Sequence, residues 1–181
     1  MAKHAVIVVD VLNDFVEGLV GSPHAITVIE PCQKLIAAAR KRGVPVIYAN
    51  DAHVDDDREL SIWGPHAMKG TLGARVYDAV APQEGDIVIE KHNYSAFFRT
   101  ELDGTLRGLE ADSLIVAGLY SNICCRLTCI DAFQHGYGVT IAREAMTSFD
   151  EGAYESDLEY LKVVAGAEAL SVDEVISMLD A

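Results

Sequence analysis

Two runs of consecutive apolar residues constrain the fold of this chain more than any other feature. Ala5–Val9 reads AVIVV and Ser113–Leu119 reads SLIVAGL, and neither alternates regularly with polar residues. Strands that lack this alternation are buried on both faces, which is typical of parallel sheets covered by helices on each side. Shorter apolar segments predict further strands at Val44–Ala49, Ile87–Ile89 and Gly138–Ala142.

Helical patterns separate these strands along the chain. One helix is predicted to open at Pro31, where the missing N–H costs nothing, and to end at Gly43. Others are predicted at Glu101–Leu109, Cys124–His135, Ser156–Val164 and Val172–Leu179. The alternation predicts an α/β fold with three layers, α/β/α, around a central, mostly parallel sheet of about six strands. The length of 181 residues suits a single domain, residues 1–181.

Charge and cysteine content argue against several partners and settings. Acidic residues outnumber basic ones 28 to 14, and a formal net charge of −14 repels phosphate backbones and anionic lipid. We therefore expect neither nucleic acid nor a membrane as a partner, and no run of about 18 apolar residues predicts a bilayer span. Four cysteines are too few and too clustered for a secreted disulfide framework, so a reducing, cytoplasmic setting is expected.

Polar residues follow the predicted strands at the points where they end. Asp10, Asp51 and Lys91 each come just past a strand, and the segment Ser121–Cys124 follows another. The carboxyl ends of parallel strands meet at one edge of the sheet, and ligands bind at that edge in open α/β sheets. The sequence therefore predicts that these groups converge in one site.

Cys124 lies at the predicted start of a helix, within the segment GLYSNICCRLTCIDAF. Free N–H groups and the positive end of the helix dipole favour a thiolate there, and the same N–H groups can hold a developing oxyanion. Ser121 and Asn122 are candidate capping residues for this helix. Taken alone, Cys124 would more safely be interpreted as a core residue, because free cysteine is among the most buried residue types.

The remaining cysteines are interpreted as core residues: Cys32, Cys125 and Cys129. Cys125 points about 100° away from Cys124 around the helix, so the two cannot occupy one site. A redox pair would need CxxC spacing, and a cysteine-rich zinc site would need a second cysteine pair, neither of which the sequence contains. A disulfide between adjacent cysteines is strained and rare.

A carboxylate and an amine accompany Cys124 at the same predicted edge. Asp10 can take the thiol proton, and the Lys91 ammonium can hold the thiolate and carboxylate charges together. Each has an ordinary alternative, since an acid after a strand is commonly a cap or turn residue and a strand-end lysine is usually solvated. The complete set of three predicts nucleophilic catalysis by Cys124, supported by Asp10 and Lys91.

Three segments resemble the signatures of the isochorismatase-like cysteine hydrolases. They are VVDVLNDF (Val8–Phe15), EKHNYSAF (Glu90–Phe97) and AGLYSNICCRLTCIDAF (Ala117–Phe133), in the order and spacing of that family. Two more, DAH (Asp51–His53) and WGPHAMKGT (Trp63–Thr71), resemble the nicotinamidase and N-carbamoylsarcosine amidase branches. The resemblance implies the isochorismatase-like, Rossmann-like topology for the fold.

The resemblance also implies roles for residues at its signature positions. Cys124 aligns with the nucleophile, while Cys125 takes the position that valine usually holds. A cis peptide bond is implied between Leu119 and Tyr120. With it comes an oxyanion hole made by the backbone N–H groups of Tyr120 and Cys124.

A metal site is predicted in the long irregular loop after the second strand. Asp51 and His53 are two residues apart, so an extended chain points both side chains the same way, and His66 adds a second imidazole. One carboxylate and two imidazoles suit zinc first, with iron and manganese as alternatives. The spacing alone is a weak signal, which the resemblance to the metal-type loop strengthens. The fourth ligand stays open between Glu59 and Asp57.

Three aromatic residues are candidates for the wall of a substrate pocket. Phe15 and Trp63 match positions that wall the pocket in the family, although core packing is an alternative for both. Tyr120 stands where alanine is common in nicotinamidases. Its larger side chain would narrow the pocket, which argues against nicotinamide. The form of the WGPHAMKGT segment resembles the branch related to N-carbamoylsarcosine amidase more closely.

These observations predict a cysteine amidohydrolase that releases ammonia from a small amide or carbamoyl substrate, N-carbamoylsarcosine-type or nicotinamide, through a Cys thioester. The alternatives are a nicotinamidase proper and a non-amidase isochorismatase-like hydrolase. A catalytically silent binding protein conflicts with the complete set Asp10, Lys91 and Cys124, and a flavodoxin-like protein would need a glycine-rich phosphate loop that the sequence lacks. Because relatives often assemble, a homo-oligomer is expected, with a small-molecule amide as its ligand.

Overall fold

The six strands found within residues 3–180, the part of the chain that the structure describes, all run parallel. This computed structural model contains β1 (His4–Val9), β2 (Val46–Asp51), β3 (Ile87–Lys91), β4 (Ser113–Leu119), β5 (Gly138–Thr147) and β6 (Glu168–Leu170). Their order across the sheet is β3-β2-β1-β4-β5-β6. β1 pairs with β2 and β4 and is fully buried over Ala5–Val9, as its uninterrupted apolar run predicts.

Helices cover both faces of the sheet and complete the three predicted layers. The α-helices in the described residues are α1 (Asn13–Val16), α2 (Ile29–Lys41), α3 (Leu60–Trp63), α4 (Leu102–Gly108), α5 (Cys124–Gln134), α6 (Tyr154–Ala165) and α7 (Val172–Met178). One face packs against α2 and α7, through residues such as Leu35 and Val175. The other packs against α4, α5 and α6, through residues such as Leu106 and Leu161. No helix in residues 3–180 is both long enough and apolar enough to cross a bilayer.

Three strands run further than their apolar patterns predict, and the first is β3, which continues past Ile89 to Lys91. β2 continues past Ala49 to Asp51, because Asp51 pairs in register with Lys91 at the end of β3. β5 continues past Ala142 to Thr147 and pairs with β4 across a shift in register. The short strand β6 was not located by the sequence pattern, since its three residues, EAL, carry no run of β-branched or aromatic side chains.

The boundaries of the five predicted helices lie within about two residues of their predicted positions, whereas the short helices α1 and α3 were not predicted. α2 begins at Ile29 rather than at Pro31, and Pro31 is tolerated because first-turn N–H groups have no intrahelical partner. At the start of α7, Ser171 and Glu174 form a complete capping box.

Gly118 lets the two central strands approach each other closely. Its φ of +120° lies in a region that residues with side chains rarely adopt. A Cβ atom placed there would lie 2.0 Å from the carbonyl oxygen of Val9 in β1. Only glycine fits, and the close approach brings the end of β1, which carries Asp10, beside the turn that leads to Cys124.

The long loop after β2 folds against the carboxyl edge of the sheet. His53 forms a parallel bridge with Met68, and helix α3 lies between them in sequence. The Asp14 carboxylate of α1 accepts a hydrogen bond of 2.8 Å from the Ala67 N–H, which ties this loop to the segment after β1. The irregular stretch predicted from the sequence is therefore an ordered wall beside the strand ends.

Candidate active site

Asp10 and Lys91 form a buried ion pair at the carboxyl edge of the sheet. Asp10 follows β1 and Lys91 ends β3, and both residues are 0% exposed. The Lys91 Nζ lies 2.7 Å from Asp10 Oδ2 and 2.5 Å from Asp51 Oδ1. The other Asp10 oxygen accepts a hydrogen bond of 2.7 Å from the Asp51 backbone N–H. One ammonium therefore balances two carboxylates that are shielded from water.

Cys124, the first residue of α5, faces this ion pair. The residue is 2% exposed, and its sulfur lies within 4.8 Å of a carboxylate oxygen of Asp10 and of Asp51. The structure thus brings Asp10, Lys91 and Cys124 together in one buried cluster, although they come from three different strand ends. Cys32, Cys125 and Cys129 are free and 0% exposed, as expected of core residues.

The predicted capping role of Ser121 and Asn122 is wrong. Ile123 occupies the N-cap position of α5, and no side chain caps the helix there. The Ser121 hydroxyl donates to the Asp157 carboxylate at 2.6 Å, and the Asn122 side-chain oxygen accepts from the Phe149 N–H at 3.1 Å. Both residues therefore fasten the turn before α5 to neighbouring elements, which local spacing cannot reveal.

The position of Cys124 at a helix N-terminus does not by itself decide the ionisation of the cluster. Burial raises the pKa of the Cys124 thiol well above its usual value; the charge of Lys91 opposes this, while the charges of Asp10 and Asp51 add to it. Burial and the charge of Asp51 raise the pKa of Asp10 to about 6, against the opposing effect of Lys91. At neutral pH the resting cluster therefore holds a thiol beside a carboxylate.

The turn between β4 and α5 presents two unused N–H groups. The Leu119–Tyr120 peptide bond is cis, as the family resemblance implies. The N–H groups of Ile123 and Cys125 both donate to the Tyr120 carbonyl oxygen, at 3.0 and 3.2 Å. The N–H groups of Tyr120 and Cys124 have no acceptor within residues 3–180, so they are available to an oxygen atom bound beside the sulfur.

Four metal-ligating side chains converge beside the ion pair. Asp51, His53, Glu59 and His66 are buried, and one donor atom from each lies within 4.8 Å of the others. Three buried atoms, Asp51 Oδ2, His53 Nε2 and Glu59 Oε1, have no hydrogen-bond partner in the described part of the chain. Leaving such groups unpaired is costly unless water or a cation binds them. The donor set therefore fits zinc, iron or manganese.

Asp57, the alternative fourth ligand, has a different position. Its Oδ2 accepts hydrogen bonds of 2.9 Å from His53 Nδ1, 2.9 Å from His92 Nδ1 and 3.0 Å from the Val54 N–H. Asp57 thus binds the rear of the His53 ring, while the Glu59 carboxylate lies 3.9 Å from the opposite ring nitrogen. Glu59 joins the ligand cluster, and Asp57 orients one of its members.

Hydrogen bonds at Nδ1 direct both imidazoles of the cluster. Because the ring of His53 donates from Nδ1 to Asp57, the proton that a bound cation would displace is the one on Nε2, and the lone pair left there points into the cluster. The ring of His66 donates from Nδ1 to the Gly64 carbonyl at 2.8 Å, which leaves its Nε2 free in the same way. The two ring centroids are 4.7 Å apart. Both rings are therefore prepared to bind a cation through Nε2.

The electrostatics of the ligand cluster reflect an excess of acidic groups. Burial lowers the pKa of His53, but the Asp51 and Asp57 carboxylates outweigh this and raise it to about 9. Burial and the Asp51 charge raise the pKa of Glu59 to about 7. A divalent cation would supply the positive charge that these carboxylates lack.

A small pocket lies between the thiol and the ligand cluster. Cys124, Asp51, Glu59 and His66 lie on its polar side. Its apolar wall is mostly aromatic and consists of Phe15, Val20, Trp63, Tyr94, Tyr120 and Phe149, with Ile123 at the turn. The three aromatic residues that the sequence nominated for the pocket all lie in this wall.

Sequence reasoning missed two aromatic residues of the pocket. Tyr94 follows Lys91 closely, and its hydroxyl accepts a hydrogen bond of 3.1 Å from Trp63 Nε1. Phe149 follows the end of β5, and its ring contacts those of Trp63 and Tyr120 with centroids 5.7 and 5.3 Å away. The strand-end rule concerns polar residues, so it indicates neither of these aromatic side chains.

The fold and the clustered thiol, carboxylate and amine beside this pocket define an α/β hydrolytic enzyme. The family model described as the isochorismatase domain matches residues 4–174, which is most of the chain. The protein therefore belongs to the isochorismatase-like hydrolase family. Both the recognised family and the predicted fold class are confirmed.

Relatives in this family include proteins named as amidases. N-carbamoylsarcosine amidase of Arthrobacter sp. is 32% identical in an alignment of 193 residues, and the alignment covers 99% of this chain and 72% of that protein. The isochorismatase of Bacillus subtilis (strain 168) is 30% identical over 83% of this chain. The chain spans 50% of the length of that isochorismatase.

Solved structures of relatives share the whole fold. N-carbamoylsarcosine amidase from Thermoplasma acidophilum has a TM-score of 0.90 and 38% identity, covering 94% of this chain and 97% of that one. Pyrazinamidase of Pyrococcus horikoshii, solved in complex with zinc, has a TM-score of 0.87 and 26% identity, covering 93% and 99%.

Proposed function

We propose that this protein is a cysteine amidohydrolase that cleaves a small amide or carbamoyl compound and releases ammonia through a thioester on Cys124. One observation carries the proposal: the Cys124 sulfur lies within 4.8 Å of the Asp10 carboxylate, at the polar end of a small aromatic pocket. Family members named N-carbamoylsarcosine amidase support the amide as the bond that is cleaved.

The first half of the proposed reaction forms the acyl-enzyme. Asp10 accepts the proton of the Cys124 thiol as the sulfur attacks the carbonyl carbon of the substrate. The backbone N–H groups of Tyr120 and Cys124 stabilise the negative oxygen of the tetrahedral intermediate. Asp10 then returns the proton to the nitrogen, the carbon–nitrogen bond breaks, and ammonia leaves a thioester behind.

The second half of the reaction hydrolyses this thioester. Asp10, again a carboxylate, accepts a proton from water as the water oxygen attacks the thioester carbon. The carbon–sulfur bond then breaks, and the proton returns to the sulfur of Cys124. An amide and one water are converted into a carboxylic acid and ammonia, and the enzyme regains its starting form.

The raised pKa of the thiol explains why a neighbouring base is needed. A free thiolate is disfavoured in this buried site, so the proton has to leave the sulfur as the new bond forms. Asp10 is suitably placed because Lys91 holds its carboxylate at 2.7 Å and keeps it largely ionised at neutral pH. Lys91 thus acts on the base and on the charge of the whole cluster.

We further propose that Asp51, His53, Glu59 and His66 hold a divalent metal, most simply zinc. The unpaired buried atoms of this cluster support the proposal, as does the zinc complex of the Pyrococcus horikoshii relative. A metal held there supplies a Lewis-acidic charge that anchors an electron-pair donor of the substrate or a water. These four residues bind it, and Asp57 orients His53 for that purpose.

Metal analysis tests this site without any substrate. Protein purified without added metal is expected to carry about one equivalent of zinc, iron or manganese per chain. His53→Ala removes a buried ligand and is expected to reduce this content about tenfold or more. His135→Ala serves as the control, since His135 lies at the end of α5 outside the ligand cluster. Equal metal content in His53→Ala and the control would overturn the site.

The choice of substrate is tested by measuring ammonia release. The panel contains nicotinamide, N-carbamoylsarcosine, ureidoacrylate and simple aliphatic amides, each with the wild-type protein and with a denatured blank. The small, mostly apolar pocket leads us to expect turnover of at least one compact amide of this panel. If no member of a wider amide and carbamoyl set releases ammonia, the amidohydrolase assignment is wrong.

A further inference from the structure

The side chain of Tyr120 connects the turn after β4, which carries the proposed oxyanion hole, to the opposite wall of the pocket. Its backbone follows β4, while its hydroxyl reaches the segment after α1. The hydroxyl donates to the Phe15 carbonyl at 2.6 Å and accepts from the Ser22 N–H at 2.9 Å. A weaker contact of 3.3 Å joins it to the Val20 carbonyl. One buried hydroxyl therefore meets both ends of the segment 15–22.

Segment 15–22 makes few other hydrogen bonds to distant parts of the chain, although it forms part of the pocket. Val20 and Phe15 lie in the pocket wall, whereas Leu19 between them is 77% exposed. The Val20 N–H donates to the Asp14 carbonyl at 3.1 Å and the Gly21 N–H to the Gly18 carbonyl at 3.2 Å, so these bonds are local. Residues 17–21 contain two glycines and make local backbone hydrogen bonds, so beside the buried side chains of Phe15, Val16 and Val20 the Tyr120 hydroxyl is a main tertiary contact of the segment.

The ring of Tyr120 also occupies part of the same wall. Its centroid lies 6.3 Å from that of Phe15 and 5.3 Å from that of Phe149. The ring is buried with the residue 1% exposed, so the bonds of its hydroxyl are not replaced easily by water. Tyr120, which stands where alanine is common in nicotinamidases, thus does more than reduce the space for substrate, because its hydroxyl also contacts segment 15–22.

We propose that the Tyr120 hydroxyl is a positioning group that fixes segment 15–22 as a wall of the substrate pocket and thereby sets the affinity for substrate. It contacts the wall and not the reacting atoms, so its loss weakens binding more than chemistry. The effect on turnover rests on the proposed amidohydrolase function. The effect on the segment itself does not, and it can be measured in the protein without substrate.

Tyr120→Phe removes the hydroxyl and keeps the ring. Amide hydrogen exchange is expected to become about tenfold faster at Val20 and Gly21, because one lost buried hydrogen bond shifts a local opening equilibrium by about that factor. These two amides do not bond to Tyr120, so they report the loosening of the whole segment. In the same variant we expect KM to rise about tenfold while kcat changes less than about threefold.

Tyr48→Phe is the matched control, because Tyr48 is also fully buried and its hydroxyl also bonds to a carbonyl, that of Val80 at 2.8 Å. Tyr48→Phe should lower the thermal midpoint but leave KM and the amide hydrogen exchange at Val20 and Gly21 unchanged.

Unchanged exchange at Val20 and Gly21 in Tyr120→Phe would overturn the proposal whether or not a substrate is known. Faster exchange with kcat reduced and KM unchanged would overturn the claim about affinity. A wild-type protein without amidase activity would refute the proposed function alone.

Discussion

Alanine in place of Cys124 is expected to lower the rate of ammonia release by at least about 10⁴-fold. The sulfur is the only atom of this cluster that can form the proposed thioester. The measurement is kcat/KM for the best amide of the panel, with metal content checked in each preparation. The fold is expected to persist, because alanine fits the first turn of α5 and removes only one buried sulfur.

The neighbouring Cys125 provides a control with the same chemistry and the same burial. Both residues are at most 2% exposed and lie side by side in α5, but only the sulfur of Cys124 approaches the acidic groups of the site. Cys125→Ala should therefore retain most of the activity while losing about 1–2 kcal/mol of stability from the small cavity. Activity that survives in Cys124→Ala and disappears in Cys125→Ala would reverse the assignment of the nucleophile.

The carboxyl edge of the sheet could be predicted from the sequence because the strands are unusually uniform. Uninterrupted apolar runs identify β1 and β4 as central strands, and the first polar residue after such a run has to lie at the strand end. This reasoning located Asp10 and Lys91 without any knowledge of the family. It could not indicate Phe149, because that residue is apolar and lies two positions past β5, whose end was placed too early.

The choice between Glu59 and Asp57 shows where local patterns stop being informative. Both acids lie in an irregular loop, where no periodicity fixes the direction of a side chain. The short helix α3 and the bridge between His53 and Met68 decide that Glu59 turns into the ligand cluster and Asp57 lies behind His53. These are contacts between segments distant in sequence, and neither spacing nor composition encodes them directly.

The ionisation of Cys124 is a further property that its position in the sequence does not decide. A position at a helix N-terminus favours a thiolate by a modest amount, since the dipole effect is about 0.3–1 kcal/mol in ordinary settings. Complete burial next to two carboxylates opposes it, and this larger effect depends on the packing of four strands and the loop after β2. The position at the start of α5 indicated which cysteine is the candidate nucleophile. Its burial in the folded protein favours the protonated thiol.

Methionine in place of Lys91 is expected to lower the free energy of unfolding by about 3–5 kcal/mol, because it leaves buried carboxylates without their counter-ion. Asp10 and Asp51 would then face each other with no positive charge from Lys91 between them. Ammonia release should also fall by at least about 10²-fold, since Asp10 would hold its proton and no longer act as the base. Denaturant unfolding after the same chelation of metal in each protein provides the measurement.

The pH dependence of this loss gives the prediction a second test. With Lys91 gone, burial and the mutual repulsion of Asp10 and Asp51 raise the folded-state pKa of the carboxyl pair above its unfolded value. Such groups destabilise the folded protein at neutral pH, and the penalty shrinks as acid protonates them, so the difference from wild type should be smaller at pH about 5 than at pH about 7. Lys34→Met, which breaks an exposed pair with Asp173, should cost less than about 1 kcal/mol at both pH values. If Lys91→Met proved as stable as this control at neutral pH, Lys91 could not be the counter-ion on which the buried carboxylates depend.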